Sequence, residues 1–275
     1  MIGVRRPPEA EVCPELHSVR ATELDRVREA LRNGRKLSQE LMGTEYKVAR
    51  DALANAQHLK CCYCEERQQD VRWEHVEHFR PKAEAFRETR SSPEAGYWWL
   101  TWTWDNLLFA CIRCNAAKGS WFPLLPGSKA LEPEEVAPGA ECPILIDPAA
   151  ENEDPREHIQ FRPFGEHWIP RPRTPRGATM LRAVGLDWET KDAGHRVGLQ
   201  QEWDDHARRL RPIVDTVQRA IESNDAGRIR AAWAKTKPFR VAAQRFVALA
   251  LDVLDHHVPE HVRRRWGLDL TVLRP

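Results

Sequence analysis

Residues 104–119 read WDNLLFACIRCNAAKG, which sets two thiols, two asparagines and a lysine in one short span. Cys111 and Cys114 form a CxxC knuckle, a turn that offers two thiolates to a single ion. Upstream, in CCYCEE, Cys61 and Cys64 repeat the spacing. Four thiolates suit tetrahedral zinc with no open position, the arrangement of a structural site. Residues 65 to 110, 46 in all, separate the pairs, so a whole substructure must fold between them. Ordinary thiols or a redox CxxC are the bland alternative, weakened because two knuckles recur and neither has thioredoxin-like surroundings.

Between the knuckles lies RWEHVEHFRPK, residues 72–82, with His75, Glu77 and His78 followed at once by Arg80 and Lys82. A His beside a carboxylate is a natural hydrolytic pair. The carboxylate can hold a divalent ion while neutral imidazole takes a proton from water. A lone EH dipeptide carries little weight, but Asn106 and Asn115 add neutral oxygen donors suited to a hard ion that keeps most of its waters. Lys118 can neutralise a phosphate.

The order Glu-His, Asn, Asn, interleaved with two zinc knuckles over residues 61–122, resembles the HNH nuclease family and its ββα-metal core. The resemblance implies His78 as general base and Glu77, where the family usually has Asp or His, as a ligand of a catalytic Mg²⁺ or Mn²⁺. It implies Asn115 as the second ligand and Asn106 as the residue that holds the loop and the base in orientation. Glu77 in place of Asp moves the carboxylate by one methylene. EHFRPK, YWWLTWTWDNLL, CNAAKGSWFPL, LIDPAAENEDPREHIQF and ATMLRAVGLD, over about residues 58–210, also resemble the HNH subfamily that includes nuclease subunits of Septu-type anti-phage systems and some retron-associated effectors. That similarity implies a metal-dependent endonuclease acting on nucleic acid, DNA first, with a partner ATPase subunit. A non-catalytic zinc-stabilised module that binds nucleic acid or protein is the competing reading.

Around this core the chain reads as α+β: a mostly helical protein carrying a small zinc-stapled ββα-metal core. Residues 1–57 form a helical segment, 58–126 the nuclease core, 127–178 an irregular Pro- and Gly-rich extension with a short strand or two at runs such as ILI and IQF, and 179–275 a helical region. ATELDRVREALRNG predicts a helix capped at Thr22 and stopped at Gly34, and TEYKVARDALANAQHLK a second with Tyr46, Ala49 and Leu53 on its apolar stripe. IPRPRTPRG reads as loop, Pro212 as a kink or restart, and Phe239, Ala243, Phe246, Ala250 and Val253 as one helical stripe.

The 42 Lys and Arg against 41 Asp and Glu leave a formal charge of +1, so no global basic field announces a polyanionic partner. Any contact must be local, and Arg80, Lys82, Arg87, Arg90, Arg113 and Lys118 form such a set. Arg80, Lys82 and Arg113 are expected on backbone phosphates. Trp98, Trp99, Trp102 and Trp104 are expected to fill a small core rather than stack on bases. Seven cysteines are an odd number for a disulfide framework, and Cys13, Cys62 and Cys142 read as ordinary thiols. With no apolar leader and no run of about 18 apolar residues, a soluble cytoplasmic protein without membrane contact is expected.

Overall fold

One strand of four residues and a helix of seven carry the candidate site. A computed structural model describes residues 1–71, 75–87, 92–189 and 194–274. The chain is α+β, and its residues group into two compact units, one of Gly3–Tyr63 with Arg67–Glu153, the other of Met1–Ile2, Cys64–Glu66 and Asp154–Pro275.

The first unit begins with helices α1 (Glu9–Val12), α2 (Glu15–Arg32) and α3 (Gln39–Met42), then a 3-10 turn (Glu45–Ala49) that runs into α4 (Arg50–Ala56). Helix α2 starts upstream of the expected Thr22 cap. Thr22 instead donates its hydroxyl to the Ser18 carbonyl, 3.2 Å away, as a mid-helix residue does. The second expected helix is shorter than its pattern. It opens as 3-10, and His58 and Leu59 take positive φ of 55° and 60°, which ends it. Tyr46, Ala49 and Leu53 are nonetheless buried.

Strand β1 (His75–His78) follows, then β2 (Glu84–Phe86), β3 (Pro93–Ala95), β4 (Leu107–Ala110) and helix α5 (Ile112–Lys118). β1 pairs antiparallel with β4, placing His75 opposite Ala110, Glu77 opposite Leu108 and His78 opposite Leu107. β2 and β3 form a hairpin inserted between these partners. Gly96 ends that insertion because a Cβ there would sit 2.6 Å from the Glu84 backbone nitrogen and 2.7 Å from the Pro81 carbonyl. Gly119 stops α5 at φ +52°, its amide donating to the Asn115 carbonyl at 2.8 Å. Trp98, Trp99, Trp102 and Trp104 are all buried, as are Phe79, Tyr97 and Phe122, so their faces belong to this unit's core.

The second unit holds a hairpin of β5 (Ile159–Phe164) and β6 (His167–Pro172), then α6 (Pro175–Ala183), α7 (Gly194–Glu222), α8 (Ala226–Ala234), α9 (Lys237–Arg240), α10 (Val247–His257) and α11 (Glu260–Trp266). The expected loop IPRPRTPRG is a strand and a cap. In a two-stranded sheet Pro170 and Pro172 can face away from the partner, and Thr174 accepts from the Gly177 amide at 3.1 Å ahead of Pro175 at the first helical position. Pro212 lies inside an unbroken α7. The stripe from Phe239 to Val253 is divided, because Phe246 is left-handed at φ +56° and α10 begins only at Val247, whose amide donates to the Glu65 carboxylate at 2.8 Å. Among the described residues no helix is long and apolar enough to cross a membrane.

Candidate active site and metal centre

The cysteine pairs converge as their spacing predicts. The sulfur atoms of Cys61, Cys64, Cys111 and Cys114 all lie within 4.8 Å of one another, all four residues are buried, and none is in a disulfide. Thiolates about 2.3 Å from a tetrahedral ion stand roughly 3.8 Å apart, so the cluster fits a structural metal such as zinc with little adjustment. The Cys114 amide points to Cys111 Sγ at 3.5 Å, and such a contact stabilises thiolate charge in a knuckle. Cys62, between the ligands, is buried, and its burial pushes the thiol well above its ordinary value. It stays protonated, as a packing residue should.

The turn from β4 into α5 supplies two of these ligands and then, without interruption, Asn115 and Lys118. Glu77, His78 and Asn115 line one cleft of about 400 Å³, which Lys82, Tyr46, Lys47 and Arg50 also line. Glu77 accepts from the Tyr63 hydroxyl at 3.0 Å and from Lys118 Nζ at 2.6 Å, both through Oε1. Burial pushes its carboxyl up, while the Lys118 ammonium and the Tyr63 hydroxyl hold its charge. Lys118 also donates to the His78 carbonyl at 3.0 Å and is 1% exposed. It therefore ties Glu77 to the strand that carries His78, and its ammonium is not presented to solvent.

His78 Nε2 lies 2.9 Å from the Thr101 carbonyl. A carbonyl only accepts, so Nε2 carries the proton and Nδ1 keeps its lone pair, with no hydrogen-bond partner among the described residues. Burial, and then the Lys82 charge, take the imidazole down to about 3. It is thus neutral at neutral pH. Tyr46 meets its ring edge-on at a centroid distance of 4.5 Å. Lys82 donates to the Tyr46 hydroxyl at 2.8 Å, and burial brings its ammonium down to about 8, against the Glu77 charge. His75 is exposed at the same cleft, its imidazole lowered by partial burial and by Lys47, Arg50 and Lys82.

Asn106 is buried away from the cleft. Its Oδ1 accepts from the Arg80 amide at 2.8 Å, and its Nδ2 donates to the Arg80 and Leu100 carbonyls at 3.0 and 3.2 Å. These bonds join the chain leaving β1 to the segment that presents Thr101.

The arginines are arranged otherwise than their clustering in sequence suggests. Arg80 is buried with its Nε 2.7 Å from Glu141, and Arg87 donates to the Tyr97 hydroxyl at 2.6 Å, which in turn donates to Glu141. Arg80, one of the three expected phosphate contacts, is therefore paired with an internal carboxylate from a segment far along the chain, and Arg87 reaches the same carboxylate through Tyr97. Arg113 is exposed on α5, and Arg90 lies outside the described residues. Tyr46, Lys47, Arg50, Tyr63 and Thr101 were not singled out by sequence as site residues. The only local signal was KVAR, residues 47–50, which sets two cations three apart on one helical face.

Fold and site together define an α+β protein with a cluster of four buried cysteines that could hold a structural metal, beside a histidine-bearing cleft on a β-β-α unit. The chain is 36% identical over 108 residues to the Septu protein PtuB of Bacillus mycoides (strain KBAB4), a match covering 38% of this chain and 36% of that protein. It thus spans about a third of that relative's length. No family model matches the chain. No solved structure matches it.

Proposed function

We propose that this protein is a metal-dependent endonuclease of the HNH type, hydrolysing phosphodiester bonds of nucleic acid, DNA first, as part of a Septu-type anti-phage system with a partner ATPase. The observation that carries the reading is the state of His78: neutral, with Nε2 fixed on Thr101 so that Nδ1 keeps its lone pair, on a residue that lines the same cleft as Glu77 and Asn115. His78 Nδ1 takes the proton of the attacking water. Glu77, through the oxygen not held by Lys118, and Asn115 are the oxygen donors that would hold Mg²⁺ or Mn²⁺. When bound, such an ion supplies positive charge for the oxyanion that leaves phosphorus. Lys118 and Tyr63 orient Glu77, and Asn106 orients the loop that fixes the base. The partner ATPase and the defence role rest on the similarity to the Septu protein and on the motifs quoted above.

A non-catalytic zinc-stapled binding module remains the second reading, favoured by one observation: Lys118 already neutralises Glu77 at 2.6 Å. The two part on a cleavage assay of the full chain, with any co-expressed ATPase, on plasmid and oligonucleotide DNA and on RNA. The hydrolase reading expects cutting only with added Mg²⁺ or Mn²⁺ and none by His78→Ala at equal zinc content. Cutting by that variant at the parent's rate sinks it.

A further inference from the structure

The cleft offers more donors than acceptors. Glu77 is the only acidic side chain among the described lining residues, and Lys118 at 2.6 Å and the Tyr63 hydroxyl at 3.0 Å already meet it. Two further lining residues are Tyr46, buried on the 3-10 turn ahead of α4, and Lys82, half-buried on the chain leaving β1. Lys82 Nζ donates to the Tyr46 hydroxyl at 2.8 Å and stands 4.3 Å from the centre of its ring. That bond fixes what is left over. The ammonium keeps two N–H groups, and the phenol oxygen, having accepted, still has its own proton to give. Among the described residues that proton has no acceptor, and Lys82 forms no ion pair. Burial raises the Tyr46 phenol above its ordinary value, so the hydroxyl stays a donor. The ring that carries it meets His78 edge-on at 4.5 Å. A ligand that suits this group accepts hydrogen bonds, donates none and carries negative charge, as the non-bridging oxygens of a phosphodiester do.

We propose that Tyr46 and Lys82 are a paired donor for the phosphate beside His78, the hydroxyl giving one hydrogen bond to its non-bridging oxygens and the ammonium one charged contact. The pair rests on the hydrolase reading for which phosphate is held, though not for the binding itself. In the sequence Lys82 stands as one backbone cation among several and Tyr46 as a packing residue. Their bond makes them one two-point site, and because the Tyr46 ring packs on the base, the same side chain sets the spacing between phosphate and imidazole.

The test measures binding of a labelled duplex and a labelled single strand by the full chain, without added divalent ions, as salt is varied. Each cationic phosphate contact contributes roughly 0.9 to the slope of log K against log salt for a duplex and roughly 0.7 for a single strand. Lys82→Gln is expected to remove about one such contact, and Lys82→Arg to restore the parent slope. Tyr46→Phe keeps the ring on His78 and removes a neutral donor, which releases no counterion. Its affinity at 0.1 M salt should fall about tenfold with slope and melting temperature unchanged. In the double variant the loss should be smaller than the product of the two single losses, because the residues act through one bond. Should Lys82→Gln lower the melting temperature, Tyr46→Phe and Lys82→Arg carry the test. Tyr46→Phe binding as the parent does overturns the pair, as do losses that simply multiply, equal competition by poly-glutamate, or no salt-dependent binding at all. If binding behaves as expected and the parent never cleaves with Mg²⁺ or Mn²⁺, the hydrolase reading alone falls.

Discussion

His78 is held by one bond on one side and left open on the other. The Thr101 carbonyl at 2.9 Å selects the tautomer, and burial near Lys82 keeps the ring neutral down to about pH 3. Cleavage should accordingly show no loss from His78 protonation between pH 8 and 5, when followed as initial rate against pH in one buffer series. An acid limb near pH 6.5 in the parent's profile would contradict this. Asn106 is the second residue whose effect can be forecast. Asn106→Ala removes three hydrogen bonds in a buried site and should cost about 2–4 kcal/mol in denaturant unfolding. It should also lower kcat more than it raises KM, because the lost contacts position the base and do not meet substrate. The candidate donors His78, Glu77 and Asn115 were legible in the sequence because their chemistry sits in consecutive motifs. Arg80 was not, since nothing near residue 80 shows that Glu141 will claim its guanidinium. Lys118 was legible as a cation, but its partner Glu77 lies 41 positions away, on the strand before.

Among the elements, β4 and α5 together decide whether the site exists. β4 is fixed by Gln57, whose amide donates to the Phe109 carbonyl at 2.7 Å and accepts from the Phe109 amide at 2.9 Å. The knuckle at the end of β4 then fixes the first turn of α5, and Asn115 with it. Cys114→Ser removes one of four donors, so zinc content by atomic absorption should fall together with the melting temperature. Retention of one zinc per chain with the parent's melting curve would break the four-thiolate assignment. The ββα order, with its helix after the second knuckle, came from the resemblance that the motifs carry. The 3-10 opening before α4 and the pairing of the strand that begins at IQF with β6 were not legible in the sequence. Period alone does not distinguish the first from an α-helix, and the prolines of the second signal a loop unless the strand is known to be at an edge.

At the scale of the whole molecule, the second unit carries a buried histidine outside the candidate chemistry. His206 packs against Phe239 and Phe246, its Nε2 has no hydrogen-bond partner among the described residues, and burial takes it down to about 4. Its folded value lies below the unfolded value of about 6.5, so between them the unfolded chain binds the extra proton. Stability is therefore lost as pH falls from 6.5 toward 4, and the gap corresponds to roughly 3 kcal/mol. His206→Phe should flatten the acid side of the stability profile by about that amount relative to the parent, read from urea unfolding at pH 7 and pH 4. Equal slopes in the two proteins would show that the imidazole is already protonated when folded. In the sequence Trp203, His206, Leu210, Ile213 and Val217 fall on one helical face, which already sets the histidine toward a core or partner surface, but nothing there shows that its Nε2 will lack a hydrogen-bond partner among the described residues.

The separation of the two knuckles also has a consequence during synthesis. A ribosome adding about 5–20 residues per second needs roughly 2 to 10 s to deliver Cys111 after Cys64. Through that interval Cys61, Cys62 and Cys64 are three neighbouring thiols without their partners, open to oxidation or to a mismatched ion. Nascent chains arrested between the knuckles should thus react readily with a thiol alkylating reagent, whereas chains extended past α5 in the presence of zinc should be protected, so the histidine strand is made before the clasp that sets it in place.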